Sequence, residues 1–193
     1  QASVGLIRHA SCAVIEMAQV CGLSLLKPEE RNPLKATTFG LGQVIRSAIE
    51  SSVEEIILCV GGSATVDGGA GMMQSLGMEF RDQNGRSMPE TLVGADLSRI
   101  GAINWPAQPE GIEQIRFTIA CDVLNPACGP NGAAAIYAPQ KGADAAGVTL
   151  LGKGLANWAT LLESACGRHL RDEPGVGAAG GVALPLLSFL GAS

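Results

Sequence analysis

Two carboxylates, one lysine and a few glycine-rich stretches carry most of the chemistry this sequence offers. Asp67 lies inside Gly61-Gly-Ser-Ala-Thr-Val-Asp-Gly-Gly69, directly after the apolar run Ile56–Val60. Asp122 follows a second apolar run, Ile115–Cys121, and opens the turn-rich tract Val123–Gly132. Lys141, in Pro139-Gln-Lys-Gly142, is the only cation between Arg116 and Lys153. Glycine reaches positive φ and lets backbone N–H groups approach a ligand, and a helix N-terminus adds partial positive charge. A strand, glycine turn and helix across 55–77 therefore has the geometry of phosphate binding. Close packing through a tight turn accounts for the same letters. The loop lacks the lysine-containing ending of a Walker motif. A carboxylate facing phosphate needs an intervening cation, or else hydrogen-bonds a hydroxyl or caps the helix, so Asp67 stands between those roles.

Asp122 sits where ligands bind in open α/β sheets, beyond the carboxyl end of a strand, with an Asx turn as the alternative. Lys141 is either a solvated side chain or a phosphate contact, because its turn lies in an otherwise apolar, glycine-rich tract. Glu16, between Ile15 and Met17, either points to solvent from an edge strand or faces a polar cleft. Gly175, Gly177 and Gly180 satisfy GxGxxG, but Arg168–Glu173 before them is charged. The dinucleotide fingerprint requires a buried strand there, so a glycine-rich helix start lining a cleft is preferred.

The elements that must position these groups follow from periodicity. Val4–Arg8 and Cys12–Met17 read as a hairpin or two paired strands around His9-Ala-Ser11, and Gln19–Leu26 as a short helix or turn. Leu41, Val44, Ile45, Ala48 and Ile49 form a helical stripe behind a Thr37 or Thr38 cap, with Gly40 and Gly42 in its first turn admitting either a ligand or tight packing. The 56–60 run suits a strand buried on both faces. Met78–Arg81 reads as a short strand, 86–113 as irregular connection, and Val148–Ala165 as a second amphipathic helix with Trp158 in the core. Pro185 interrupts a last helical run early. The alternation predicts an α/β fold, one layered domain over residues 1–193 with a mixed or parallel sheet covered by helices.

Bulk composition narrows the partners. The 193 residues suit one substantial core, and 47% hydrophobic content with 26 glycines fits a turn-rich α/β protein. A net charge of −5 gives no support for nucleic acid or a polybasic membrane surface. No apolar run approaches the roughly 18 residues that span a bilayer, and no signal pattern opens the chain. The six cysteines form no CxxC pair and read as reduced, buried thiols of a cytoplasmic protein, and no zinc site is expected. Gln1 in place of methionine suggests a processed or excised chain.

Three islands taken together are more specific than any one of them: Gly61–Gly71, Ala120-Cys-Asp-Val-Leu-Asn-Pro126 followed by Pro139-Gln-Lys-Gly-Ala143, and Pro174–Gly181. In order and spacing they resemble the type I glycerate kinases, and the likeness extends to Ile15-Glu-Met-Ala18 and to Asn32–Gly42. The resemblance implies phosphorylation of glycerate with ATP and Mg²⁺. It implies catalytic roles among Asp122, Lys141 and Asp67. It further implies substrate or phosphate contacts from Gly61, Gly62, Ser63, Ala64, Thr65 and Gly68, and from Asn125, Gln140 and Glu16. Val66 and Leu41 stand where the family commonly carries asparagine and threonine. The family's amino-terminal and carboxyl-terminal motifs are not found, so the chain resembles the middle, inserted domain of a two-domain enzyme. Glycerate and the remaining domain are then the expected partners, with a homodimer left open. The alternative from another class is a non-catalytic ligand-binding or assembly domain that keeps the kinase scaffold.

Overall fold

The computed structural model describes residues 5–7 and 11–193. In chain order its elements are β1 (Gly5–Ile7), β2 (Cys12–Glu16), α1 (Met17–Cys21), α2 (Phe39–Glu50), β3 (Glu55–Cys59) and α3 (Ala70–Ser75). These are followed by β4 (Glu79–Asp82), β5 (Ile100–Asn104), β6 (Arg116–Ala120), α4 (Ala133–Tyr137), α5 (Ala145–Cys166) and α6 (Ala183–Phe189). The main sheet has the order β1-β2-β3-β6, with β1 antiparallel to β2 and the other pairs parallel. This is the α/β class with a mixed sheet. The hairpin of β1 and β2 pairs Gly5 with Val14 and Ile7 with Cys12, while Val4, Arg8, His9 and Ala10 lie outside the described residues.

Register explains the core. Ala13, Ile15, Ile56, Leu58 and Phe117 share one sheet face and are all buried, under a cover that includes the α2 stripe of Leu41, Ile45, Ala48 and Ile49. The opposite face carries Val14, Ile57, Cys59 and Thr118, all half-buried, and exposed Ala120. The expectation of a 56–60 strand buried on both faces is therefore corrected: its alternation is that of a strand with one dry side. Glu16 also departs from expectation, because β2 lies between β1 and β3 and is no edge strand.

Helix packing uses the glycines. A Cβ at Gly42 would collide with the Met72 carbonyl oxygen, so this glycine brings α2 against α3. The Trp158 indole, fully buried on α5, donates to the Gly68 carbonyl at 2.8 Å and packs against Phe80 with ring centroids 5.6 Å apart. α5 starts earlier than its apolar pattern suggests because Asp144 caps it, accepting from Gly147 N–H at 2.7 Å. Pro185 falls in the first turn of α6, where a missing N–H leaves no helical bond unmade.

The segment 86–113 is not wholly irregular. It holds a 3₁₀ run, Gly94–Arg99, and then β5, which pairs antiparallel with β4 in a separate two-stranded sheet. Proline and short length hid this strand, and its partner is non-local. The short strand expected at Met78–Arg81 corresponds to β4 and lies in this smaller sheet.

Candidate active site

β3 and β6 are adjacent and parallel, with Cys59 opposite Ala120. Their next residues therefore leave the sheet at the same rim. The glycine turn after Val60 and the acid after Cys121 open into one cleft of about 370 Å³. Gly61, Gly62 and Ser63 form one side, and Asp122 and Val123 another. The turn after α4 brings in Gln140 and Lys141, and the loop before α6 adds Ala178 and Ala179. Crevices at this rim of a parallel sheet are where α/β proteins bind ligands.

The first loop is tied down on its outer side. Leu23 N–H donates to the Gly62 carbonyl and Ala64 N–H to the Cys21 carbonyl, both at 2.8 Å. Gly62 has φ of +71°, a conformation that favours glycine. Among the described residues, the N–H groups of Gly61, Gly62 and Ser63 find no acceptor within the chain. Gly61 and Gly62 are exposed and Ser63 is buried. Such a run of free amides beside a cleft is a set of donors for an oxyanion.

Lys141 is 3% exposed, not the solvated side chain that a lone lysine usually is. Its Nζ donates to Ser63 Oγ at 2.9 Å and to the Thr65 carbonyl at 2.7 Å. Burial pulls its pKa down to about 8, with Cys21 and Asp67 pulling it up less strongly. Nearby, burial pushes the Cys21 thiol up to about 12, helped by Asp67. Asp122 and Gln140 are exposed in the cleft.

The remaining sequence-derived site residues fall elsewhere. Asp67 is fully buried and does not line the cleft. Its Oδ2 accepts from Thr38 N–H and Thr38 Oγ1, both at 2.7 Å, and from Gly71 N–H at 3.3 Å. Oδ1 accepts from Gly69 N–H at 3.3 Å. Thr38 Oγ1 in turn accepts from Met72 N–H at 2.9 Å. Asp67 and Thr38 thus lock the start of α2 to the start of α3. Burial pushes the Asp67 carboxyl up in pKa against the opposing pull of these bonds. Ala64 and Thr65 are buried behind the loop. Gly68 has φ of +57°, and a Cβ there would meet Trp158 Cδ1 at 2.5 Å, so close packing requires glycine at this position. Asn125 braces the second loop: its Nδ2 donates to the Asn131 carbonyl at 2.9 Å and its Oδ1 accepts from the Tyr137 hydroxyl at 2.6 Å. Glu16 is exposed at the carboxyl end of β2, on the same rim but outside the cleft lining, and accepts from Gln19 Nε2 at 2.6 Å.

Sequence reasoning did not single out Tyr137, Leu23, Val60 or Val123 as cleft residues. Burial, with Cys121 and Asp122 nearby, raises the Tyr137 pKa. Ala178 and Ala179 sit in the glycine-rich loop that sequence reading set beside a cleft. Ala179 has φ of +50°, uncommon for a residue with a Cβ, and Gly180 packs so closely that a Cβ would strike the Thr65 carbonyl oxygen. The expected absence of a strand before Gly175 holds, and the GxGxxG match is thus a turn and a 3₁₀ run.

Comparison with known proteins decides the family. The sequence pattern described as "Glycerate kinase family" matches residues 1–193. The chain belongs to the glycerate kinase family. It is 44% identical over 183 residues to the glycerate kinase of Haemophilus influenzae, covering 95% of this chain and 48% of that protein. It is 41% identical over 191 residues to the glycerate 2-kinase of Escherichia coli, covering 99% and 50%. A crystal structure of a Salmonella typhimurium LT2 protein, provisionally named glycerate kinase 2, superimposes with a TM-score of 0.94 at 40% identity. That match covers 100% of this chain and 51% of the other. The chain therefore spans about half the length of the family members it matches.

Proposed function

We propose that this chain is one α/β domain, over residues 1–193, of an ATP-dependent glycerate kinase, and that it supplies one wall of the active-site cleft while another domain of the same protein closes it. The observation that carries this reading is convergence: Gly61–Ser63, Asp122 and Gln140–Lys141, far apart in sequence, line a single cleft at the carboxyl rim of β3 and β6. Relatives named glycerate kinase at 44% and 41% identity support the reaction. The name of the Escherichia coli relative favours the 2-hydroxyl as the acceptor.

Phosphoryl transfer asks the protein for alignment and charge stabilisation more than for covalent chemistry. The Gly61, Gly62 and Ser63 amides hold an oxyanion of the reactants. Lys141, anchored on Ser63 and Thr65, places positive charge at the cleft floor. Asp122, exposed in the cleft, accepts the hydrogen bond of the attacking hydroxyl and orients it. Gln140 contributes a further polar contact.

Mg²⁺ fits only as an ion carried on phosphate. Among the described residues no three His, Cys, Asp or Glu side chains cluster closely enough to hold a metal, whereas Mg²⁺ on a nucleotide needs one or two carboxylates. Asp122 is the one carboxylate that lines the cleft among the described residues and already takes the attacking hydroxyl, so this lining supplies no further carboxylate for the ion.

In the family-length protein, Asp122→Asn is expected to lower kcat by about 100-fold or more. It should leave the unfolding midpoint unchanged, because the side chain is exposed. A variant with parental turnover removes Asp122 from the mechanism. The chain alone is expected to show little or no glycerate-dependent ATP consumption, and rapid turnover by it contradicts the two-domain reading.

A further inference from the structure

We infer that the cleft on this chain seats the hydroxy acid and not the nucleotide: a compact monoanion, its carboxylate on the Gly61–Ser63 amides beside Lys141 and its hydroxyl on Asp122. The inference rests on the kinase reading and divides its two substrates between the chain described and the rest of the protein.

Charge argues first. Among the described residues, the lining contains one cation, Lys141, and one carboxylate, Asp122. A nucleoside triphosphate brings several negative charges into reach of Asp122, and a carboxylate facing phosphate needs an intervening cation. A monoanionic hydroxy acid meets no such conflict. Its one charge goes to the lysine side, and its hydroxyl needs the acceptor that Asp122 supplies.

The state of Lys141 argues second. Its ammonium is buried, yet both of its hydrogen-bond partners, Ser63 Oγ and the Thr65 carbonyl, are neutral. The nearest buried acid, Asp67, takes its hydrogen bonds from Thr38, Gly69 and Gly71. A buried cation without a hydrogen-bonded anion is costly. One ligand carboxylate on the adjacent free amides completes the pair, where a polyphosphate overcompensates it. Glu16, exposed on the same rim, adds negative charge against a polyphosphate.

Proton linkage follows from this pairing. Cys21 from α1 and Asp67 from the loop before α3 act on Lys141, and Asp122 and Tyr137 are the other titratable groups lining the same cleft among the described residues. A bound carboxylate stabilises the ammonium, so binding takes up a proton when the free lysine is partly neutral. Affinity for the acid then falls as pH rises through about 8.

Calorimetric titration of this chain with D-glycerate, propionate, and ATP with and without Mg²⁺ tests the assignment. D-glycerate is expected to saturate, to bind at least about 10-fold more tightly than propionate or ATP, and to take up protons at pH 8.5. Asp122→Asn should close the gap between glycerate and propionate. Lys141→Met should abolish acid binding and proton uptake, with circular dichroism confirming that the variant is folded. If Lys141→Met unfolds, the proton uptake of the parent chain carries the test. ATP binding that is tighter than glycerate binding, or competitive with it, overturns the inference. So does a folded chain that binds no glycerate. Kinase turnover by the family-length protein, measured in parallel, keeps the two claims apart: turnover without glycerate binding to this chain sinks the substrate assignment alone, whereas binding without turnover sinks the kinase reading.

Discussion

Asp67 and Asp122 follow parallel, neighbouring strands and precede glycine-bearing turns, yet the chain treats them in opposite ways. Asp67 is fully buried and accepts four hydrogen bonds from Thr38, Gly69 and Gly71. Asp122 is exposed in a cleft whose nearby glycine amides have no acceptor among the described residues. A polar group whose needs are met by its own chain is committed to structure. One left exposed in a cleft with free donors and a buried lysine whose hydrogen-bond partners are both neutral is available to a ligand. The contrast separates two glycine-rich turns that look alike as letters. It also divides a single loop, since Gly61 faces the cleft while Gly68 packs under Trp158.

Breaking the structural side of the contrast should produce the largest effect. Asp67→Ala strands the Thr38 hydroxyl and three backbone N–H groups in a dry interior, and is expected to cost about 3–5 kcal/mol of stability in urea unfolding. A loss below about 1 kcal/mol would mean that α2 and α3 are not joined through this carboxylate. Gly68→Ala comes next. It adds a methyl group 2.5 Å from Trp158 Cδ1 at a φ of +57°, and about 2–4 kcal/mol is expected from overpacking and backbone strain together.

These same residues show what was legible in the sequence. The strands β2, β3 and β6, the α2 stripe and the placement of Asp122 at a strand end follow from periodicity and glycine punctuation. Asp67 could not be assigned in that way, because the partner that claims it, Thr38, lies 29 residues upstream. Lys141 was legible as a site candidate but not as a buried group, since Ser63 and Thr65 are 78 and 76 residues away. β5 escaped notice because it is short, exposed along much of its length and paired with a strand of the smaller sheet. Local pattern fixes elements, whereas the fate of a polar side chain depends on distant residues that complete its hydrogen bonds.

The cleft side of the contrast has a pH signature. Lys141 has a folded pKa of about 8 against an ordinary value of 10.5, so between those values the unfolded chain holds more protons. Stability from this group therefore rises with pH across that window, by up to about 3 kcal/mol. Cys21 acts in the opposite sense: its folded pKa of about 12 exceeds the ordinary 9.0, so its contribution falls as pH rises from 9 toward 12. The two slopes must be separated by difference. Lys141→Met is expected to remove the rising component between pH 8 and 10, and Cys21→Ala the falling one. Parallel stability-pH curves for the parent and Lys141→Met would show that the lysine is not held in a dry site.

The smallest effect on folding is the sharpest test of the division within the glycine loop. A Cβ at Gly61 meets nothing within 4 Å, and its φ is not positive, so Gly61→Ala is expected to change stability by no more than about 0.5 kcal/mol. The added methyl group nonetheless crowds the approach to three free amides, and anion binding to this chain is expected to weaken several-fold. Gly68→Ala makes the same chemical change seven residues away and should do the reverse, lowering stability while leaving the affinity of the remaining folded molecules close to parental. Titrations at a temperature where both variants are folded compare them directly. Equal losses of affinity in the two would mean that the loop acts as one rigid body, and that its ligand-facing and core-facing glycines are not separable.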